Sequence, residues 1–387
     1  MKIVIVSFYE VYPPVCGVAN VTYHVAKYLS GETYLIQLSK NTKQGRKNGN
    51  LHFINMRQIS NNRLVKTINL ALHLPFLITK IKQLKPEIVI FESASWVLYY
   101  LILFYLMKIA RIDSGIIYHA HNVEYLLRKQ KNSPVIAFIT HWAEKKLLRR
   151  CDLSFSVSEN DTRAFGRMYG VRPLVLANGV DSEEFDSVTD EEIQKIRLKY
   201  HLNGRIVLFM GLPTYKPNKE AIDFLINDVF PIVKRECAEA KLSAIGGHIN
   251  FENEWFINPG NIPFEEVPAF IKACDVCVAP IFSGSGTRLK ILEYLAAGKP
   301  VVSTTKGVEG IAVKDGENVI LADDAGIFAE KILYLLKNPE VRARIGMEGI
   351  KLIKTKYLWS EIIKDFHKTL DASLSENETN EHEFNKA

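Results

Sequence analysis

The chain has 387 residues, 47% apolar and 24% charged, which fits an ordinary soluble protein large enough for two domains. Its five cysteines (Cys16, Cys151, Cys237, Cys274, Cys277) are scattered and odd in number, which argues against a disulfide framework and for a reducing, cytoplasmic setting. The net charge of +6 divides unevenly: residues 1–175 hold 24 Lys+Arg against 10 Asp+Glu (+14), and the remainder 25 against 33 (−8). The first half therefore suits an anionic partner, and it has no aromatic-interleaved basic motif or zinc module to favour nucleic acid.

Short apolar strands alternate with longer helical patterns, the signature of parallel sheets flanked by helices. The opening Met1-Lys-Ile-Val-Ile-Val-Ser is too short an apolar run for a signal peptide and reads as a first strand, 2–7. Strands are further expected at 33–38, 51–56, 87–91, 115–121, 153–158 and 174–177, with helices at 19–29, 64–83, 96–110, 134–150 and 159–169. The uncharged run from Ala94 to Met107 is 14 residues long, short of the roughly 20 a membrane span needs, so it reads as a buried or interface-lying helix. Arg63 to Lys85 mixes apolar and basic residues; it suits a helix resting on anionic lipid, or equally a core-facing helix with a solvated basic face. The polar, acidic stretch 179–204, with one helical pattern at 190–200, reads as an inter-domain linker.

A second α/β series then begins with a strand at 205–211. It continues with a helix at 218–236, a strand at 241–245, a helix at 265–274, a strand at 276–280 and a turn–helix unit at 284–298. Strands at 300–303 and 318–321 follow, then helices at 325–336, 339–357 and 360–370, and an acidic tail from Ser373 that is expected to be disordered. Cys274-Asp-Val-Cys277 has no second pair to complete a metal site and sits where a helix enters a strand, so both cysteines are expected to be structural.

The most informative stretch is Gly284-Ser-Gly-Thr-Arg-Leu-Lys-Ile-Leu-Glu293, which runs on into Tyr-Leu-Ala-Ala-Gly-Lys-Pro-Val-Val-Ser303. A Gly-rich turn feeding a helix start presents backbone N–H groups and the positive end of the helix dipole to an anion, usually a phosphate. Arg288 adds a fork of donors, and Glu293 leans back toward the helix start, within reach of a neighbouring sugar diol. Phosphate beside a diol is what a nucleotide sugar offers, although a plain strand–turn–helix connection would use the same glycines. His119-Ala-His121 closes an apolar strand with two imidazoles on one face; no third ligand at a fixed spacing supports a metal site there.

Gly-x-Gly-Thr-Arg-x-Lys-x-x-Glu followed by Ala-Ala-Gly-Lys-Pro-Val-Val resembles the donor-binding segment of retaining glycosyltransferases of the GT-B fold, in the family 4 group. Phe209-Met-Gly-Leu-Pro-Thr-Tyr-Lys-Pro-Asn218 resembles, more narrowly, the subgroup with Pro-Asn after the first strand of the second domain. The resemblance implies an α/β architecture of two Rossmann-like doubly wound domains facing across a cleft. Residues 1–179 would bind the acceptor, 180–204 link the domains and 205–357 hold the nucleotide sugar. A helix at 358–372 would cross back to the first domain, ahead of a disordered tail at 373–387. The implied activity is transfer, with retention, from a nucleotide-diphosphate sugar to a saccharide or lipid-phosphate-linked acceptor, in surface polysaccharide or glycan assembly. The implied setting is cytoplasmic, or peripheral on the inner face of the membrane, with no metal or other cofactor; the Asp-x-Asp pattern of metal-dependent glycosyltransferases is absent.

Residue by residue, Gly17 matches a paired-glycine loop that approaches the donor, with Cys16 in place of the first glycine. His121 matches the active-site histidine that contacts the transferred sugar, with Asn122 and Glu124 expected at the acceptor. Lys216 matches a lysine on the donor diphosphate whose partner arginine is missing from the Gly211-Leu212-Pro213 turn, a role Arg288 would take. Gly284, Ser285, Gly286, Thr287, Arg288 and Leu289 would line the donor, and Glu293 would act in donor binding and catalysis as the second of a glutamate pair whose first position holds Ser285. Val157-Ser-Glu and Leu176-Ala-Asn-Gly-Val-Asp181 resemble structural turns of the same family. Two rivals share this pattern: a GT-B sugar-nucleotide epimerase, and a catalytically silent sugar-nucleotide-binding partner subunit.

Overall fold

Ile3, Val4, Ile5 and Val6 are four successive β-branched residues, all fully buried, as expected for a strand covered on both faces. In the computed structural model, which describes every residue except 15, 41–46, 61, 94, 131–133, 285 and 385–387, they lie in strand β1 (Lys2–Ser7). The same sheet contains β2 (Glu32–Ser39), β3 (Lys47–Asn48), β4 (Leu51–Arg57), β5 (Ile88–Ser93), β6 (Gly115–Ala120), β7 (Leu153–Ser156) and β8 (Leu174–Val175). Their order is β3-β4-β2-β1-β5-β6-β7-β8, every pair parallel except β3 with β4. Strand order reverses between β1 and β5, and ligands of open parallel sheets bind beyond the carboxyl ends at such a point.

Helices Gly17–Tyr28, Arg63–Leu84, Val97–Ile109, Pro134–Arg150 and Glu159–Tyr169 flank this sheet near their expected positions. Val97–Ile109 is a core helix, burying Val97, Tyr100, Leu101, Leu103, Phe104 and Met107. Helix Glu124–Gln130 was not expected, because seven residues are too few to display a helical period. The unit comprises Met1–Ala177 with Ile362–Ala387. The chain's last helix, Trp359–Phe384, continues past the expected end at 372 and through most of the acidic tail, whose glutamates are good helix formers.

The second unit, Asn178–Glu361, is built on an all-parallel sheet. Its strands are β9 (Arg205–Met210), β10 (Ala240–Ile245), β11 (Phe256–Gly260), β12 (Val276–Ala279), β13 (Val301–Ser303) and β14 (Ile320–Leu321), in the order β11-β10-β9-β12-β13-β14. The reversal here falls between β9 and β12. Strand β11 escaped the sequence reading because Pro259 and Gly260 mimic a loop; at a sheet edge both are tolerated. Residues 180–204 form part of this unit: Val180, Phe185, Ile196 and Leu202 are buried in its core, and a Thr189–Glu192 capping box starts helix Asp190–Lys199. The acidic residues between those four apolar anchors are what gave the stretch its linker-like composition.

Candidate functional site

Strands β9 and β12 are neighbours, Val207 opposite Val276 and Leu208 opposite Cys277, so the loops leaving their carboxyl ends run side by side. One leads to helix Lys216–Phe224 and the other to helix Leu289–Ala296. Gly284 and Gly286 take φ of +92° and +83°, a region open to glycine and costly for other residues. A Cβ on Gly284 would lie 3.2 Å from Tyr215 Oη and from Pro217 Cγ, so the two loops are in close contact there. Arg288, the cap residue, does not cap the helix with its side chain; its guanidinium donates to the carbonyls of Gly286 (2.8 Å) and Ser283 (3.1 Å) and shapes the turn. Thr287 and Leu289 are half-buried at the helix start, and half-buried Glu293 follows on the same helix. Ser285 lies outside the described residues.

Lys216 is exposed and pairs with Glu220 at 3.6 Å, while the other oxygen of Glu220 accepts the Ser283 hydroxyl at 2.6 Å. A lysine with no role assigned from sequence completes the cluster. Lys290 Nζ donates to Asn218 Oδ1 (2.9 Å) and lies 4.3 Å from the Phe209 ring centre, and Asn218 Nδ2 donates to the Leu212 carbonyl (3.1 Å). Burial, aided by the charge of Arg288 and opposed by Glu293, pushes this ammonium down to about 7. Asn218 packs so tightly on Gly211 that a Cβ there would approach it to 2.7 Å. The Pro-Asn motif and the lysine of Thr-Arg-x-Lys are therefore two halves of one structure.

In the first unit, His121 follows β6 directly and extends its ladder, its N–H donating to the Ser93 carbonyl at 3.0 Å. Fully buried Glu92, near the end of β5, bridges both histidines: His119 Nδ1 lies 3.1 Å from each carboxylate oxygen and His121 Nε2 lies 2.5 Å from Oε2. Thr22, on helix Gly17–Tyr28, also donates to Oε2 (3.1 Å) and is joined to Tyr9 at 2.8 Å. Burial would push Glu92 up, but His119 beside it and the hydrogen bonds from both imidazoles hold it well below the ordinary carboxylate range. Burial lowers His121 despite Glu92, which keeps the ring neutral. An ionised carboxylate only accepts, so His121 carries its proton on Nε2 and leaves Nδ1 as an acceptor. These three side chains could also hold a metal ion, their ligand atoms all within 4.8 Å of one another; here the carboxylate takes a hydrogen bond from each ring.

Gly17 opens its helix behind exposed Cys16, which provides no side-chain cap. Asn122 is half-buried, and among the described residues its Oδ1 has no hydrogen-bond partner. Glu124, in contrast, is buried and its carboxylate is held by Arg128 at 2.8 Å, which turns it inward. The Glu124 N–H donates to Glu144 Oε1 (3.0 Å), and Tyr169 donates to Glu144 Oε2 (2.6 Å), so buried Glu144 anchors the helix that follows His121. Glu144 is the single acid in a helix with four basic residues, a contrast visible in the sequence; Glu92 showed only as an acid ending an apolar strand.

Residues 15–184 match the family model described as Glycosyltransferase Family 4, and residues 204–338 the one described as Glycosyl transferases group 1. An uncharacterised 44.6 kDa protein in the cps region of Klebsiella pneumoniae is 28% identical over 183 residues, 43% of this chain and 47% of that protein. An uncharacterised glycosyltransferase of Methanocaldococcus jannaschii is 33% identical over 212 residues, 52% of this chain and 54% of its own length. The chain spans about half the length of the curated relatives it matches. The crystal structure of Anabaena HepE in complex with UDP and glucose superposes with a TM-score of 0.72 over 95% of this chain and 99% of that one, at 14% identity, a likeness of fold. With glycosyltransferase models matched in series over 15–184 and 204–338, on two doubly wound units, this chain belongs to the glycosyltransferases of the GT-B fold.

Proposed function

We propose that the protein moves a sugar from a nucleotide-diphosphate sugar to a saccharide or lipid-phosphate-linked acceptor, with retention of anomeric configuration. One observation carries the reading: Lys216, Arg288 and Lys290 gather at the starts of two helices, Lys216–Phe224 and Leu289–Ala296, that follow neighbouring strands at the second unit's switch point. As the sugar–phosphate bond breaks, positive charge develops on the ring and negative charge on the departing diphosphate. Fixed cations and helix N–H groups stabilise that leaving charge without reorganising. Gly284, Gly286, Thr287 and Leu289 line the phosphates in this reading, Glu293 takes the ribose diol, and no metal is required because side chains supply the positive charge.

The first unit supplies His121, whose Nδ1 accepts a hydrogen bond from a hydroxyl of the transferred sugar, with Gly17 near the donor and Asn122 toward the acceptor. The departing diphosphate takes the acceptor proton, so retention needs no side-chain base. UDP is the first nucleotide to test, since the Anabaena structure of the same fold contains it. A role in surface polysaccharide assembly, in the cytoplasm, belongs to the same proposal; the five unpaired cysteines and the relative from a cps region support it.

Calorimetric titration with UDP, GDP and ADP sugars, followed by NMR of the product's anomeric coupling, tests the reading. One nucleotude class should bind, its sugar should hydrolyse slowly without acceptor, and the product should keep the donor's anomeric configuration. Donor binding with neither hydrolysis nor transfer to any acceptor would defeat it in favour of a silent binding subunit.

A further inference from the structure

We propose that the first unit docks on an anionic lipid bilayer through the carboxyl edge of its sheet, with the leading turns of helix Pro134–Arg150 as the inserted element. Only the cargo, a lipid-linked acceptor, rests on the function proposed above; docking itself can be measured apart from it.

This helix has two unlike faces. Ala137, Thr140, Ala143, Glu144, Leu147 and Leu148 are buried. On the other side Val135, Phe138 and Trp142, spaced one and two turns apart, are 68%, 71% and 46% exposed, and Ile136 and Ile139 are exposed beside them. Exposed apolar residues are ordinary when scattered; five within eight positions of one helix form a patch of the kind that marks an interaction surface.

The patch also lies on the carboxyl side of the sheet. Glu144 hydrogen-bonds the Glu124 N–H, level with the end of β6, whereas Asp152, just past the helix, pairs with both backbone groups of Ile116 near the start of that strand. The helix therefore runs antiparallel to β6, and its first ten residues, 134–143, roughly 15 Å of helix at 1.5 Å per residue, lead away from Glu144 on the carboxyl side of the strand. Helix Arg63–Leu84 starts from the same edge after β4 and exposes Leu64 (77%), Ile68 (63%) and Leu72 (69%), one turn apart. Helix Val97–Ile109 packs against both. Among the described helices Arg63–Leu84 is long and apolar enough to cross a membrane, but Leu70, Leu74, Leu77 and Ile81 are buried in the unit's core, so it lies on a bilayer rather than spanning one.

Charge selects the occupant. Helices Arg63–Leu84 and Pro134–Arg150 each contain four Lys+Arg, and their one acid, Glu144, is buried. A second copy meeting this face through its own would set like charges against one another. A bilayer with anionic headgroups supplies the opposite charge and an apolar interior for Phe138 and Trp142.

The full chain, mixed with vesicles of phosphatidylcholine alone or with about 30% phosphatidylglycerol and then sedimented, tests this. Binding is expected to the anionic vesicles only, to weaken as salt rises from about 0.1 M to about 0.5 M, and to fall roughly tenfold or more in Phe138→Glu/Trp142→Glu. Lys145→Glu/Lys146→Glu, on the later turns, should weaken binding and flatten its salt dependence. Far-UV circular dichroism and UDP titration of each variant report on folding and on the second unit. Vesicle binding lost with both of these unchanged supports the proposal. It is overturned if the wild type fails to sediment, if Phe138→Glu/Trp142→Glu sediments as well as wild type, or if light scattering shows a dimer that this substitution dissolves. Wild-type vesicle binding without UDP binding would count against the proposed function and leave docking standing.

Discussion

Lys290 changes character most between chain and fold. In the sequence it is a motif position with no role assigned; in the structure it sits between Asn218 and Phe209 with its ammonium pushed down to about 7. A diphosphate at the loop favours the charged form, so binding above about pH 7 takes up a proton. UDP affinity should therefore fall as pH rises from about 7 toward the ordinary lysine range, by at most about tenfold per pH unit. Calorimetry in two buffers of different ionisation enthalpy reads that proton directly, and Lys290→Met should bind UDP about tenfold more weakly with the pH dependence gone. A pH-flat wild type would remove Lys290 from the donor site. Glu92 makes a parallel case in the first unit. Glu92→Gln keeps the shape, but its amide cannot accept from both rings, so turnover should drop about a hundredfold while UDP affinity stays within about twofold; equal losses of both would mean general unfolding. Both Glu92 and His121 bind fewer protons folded than unfolded. Melting temperature should therefore decline as pH falls below about 6.5, and further below about 4.3. That His119 and His121 share a face was legible from their spacing, whereas Glu92 as their common partner was not, because it lies 27 and 29 residues away.

At the scale of elements, helix Pro134–Arg150 joins two tasks: its exposed side forms the proposed docking patch, and its buried side holds the short helix Glu124–Gln130 through Glu144. Burial, with Glu124 close by, pushes Glu144 up to about 8 against the hydrogen bonds it accepts from Tyr169 and two backbone N–H groups. A carboxyl that keeps its proton when folded and sheds it when unfolded contributes less as pH rises, so its share of stability is lost between about pH 4.3 and about pH 8. Glu144→Gln should remove that loss and compare better with wild type at pH 8 than at pH 6 in urea unfolding. Glu144→Ala should cost about 2 kcal/mol at pH 6 and less at pH 8, and slow turnover by loosening the segment after His121. A glutamine variant equally destabilised at both pH values would contradict this. Long helices and buried strands were readable from their periods. Elements such as Glu124–Gln130 and β11 were not, since one is too short and the other carries Pro259 where only an edge position admits it.

For the whole molecule, ligand binding should act first on one of the two units. UDP at about a hundredfold its dissociation constant should stabilise the protein by about 2.7 kcal/mol. Amide exchange should slow across 211–218 and 283–293, the two loops at the β9–β12 reversal. Protection confined to Met1–Ala177 would place the nucleotide elsewhere. The sequence by itself determined that two parallel α/β units follow one another and that a Gly-rich turn at 284–286 feeds a helix, because hydrophobic period and turn chemistry are local properties. The tertiary structure alone decided that Asn218 grips Lys290 from 72 residues away, that Glu92 joins His119 and His121, and that 180–204 is core rather than linker. Each of these depends on which strands become neighbours, and strand order is set by how the whole chain packs.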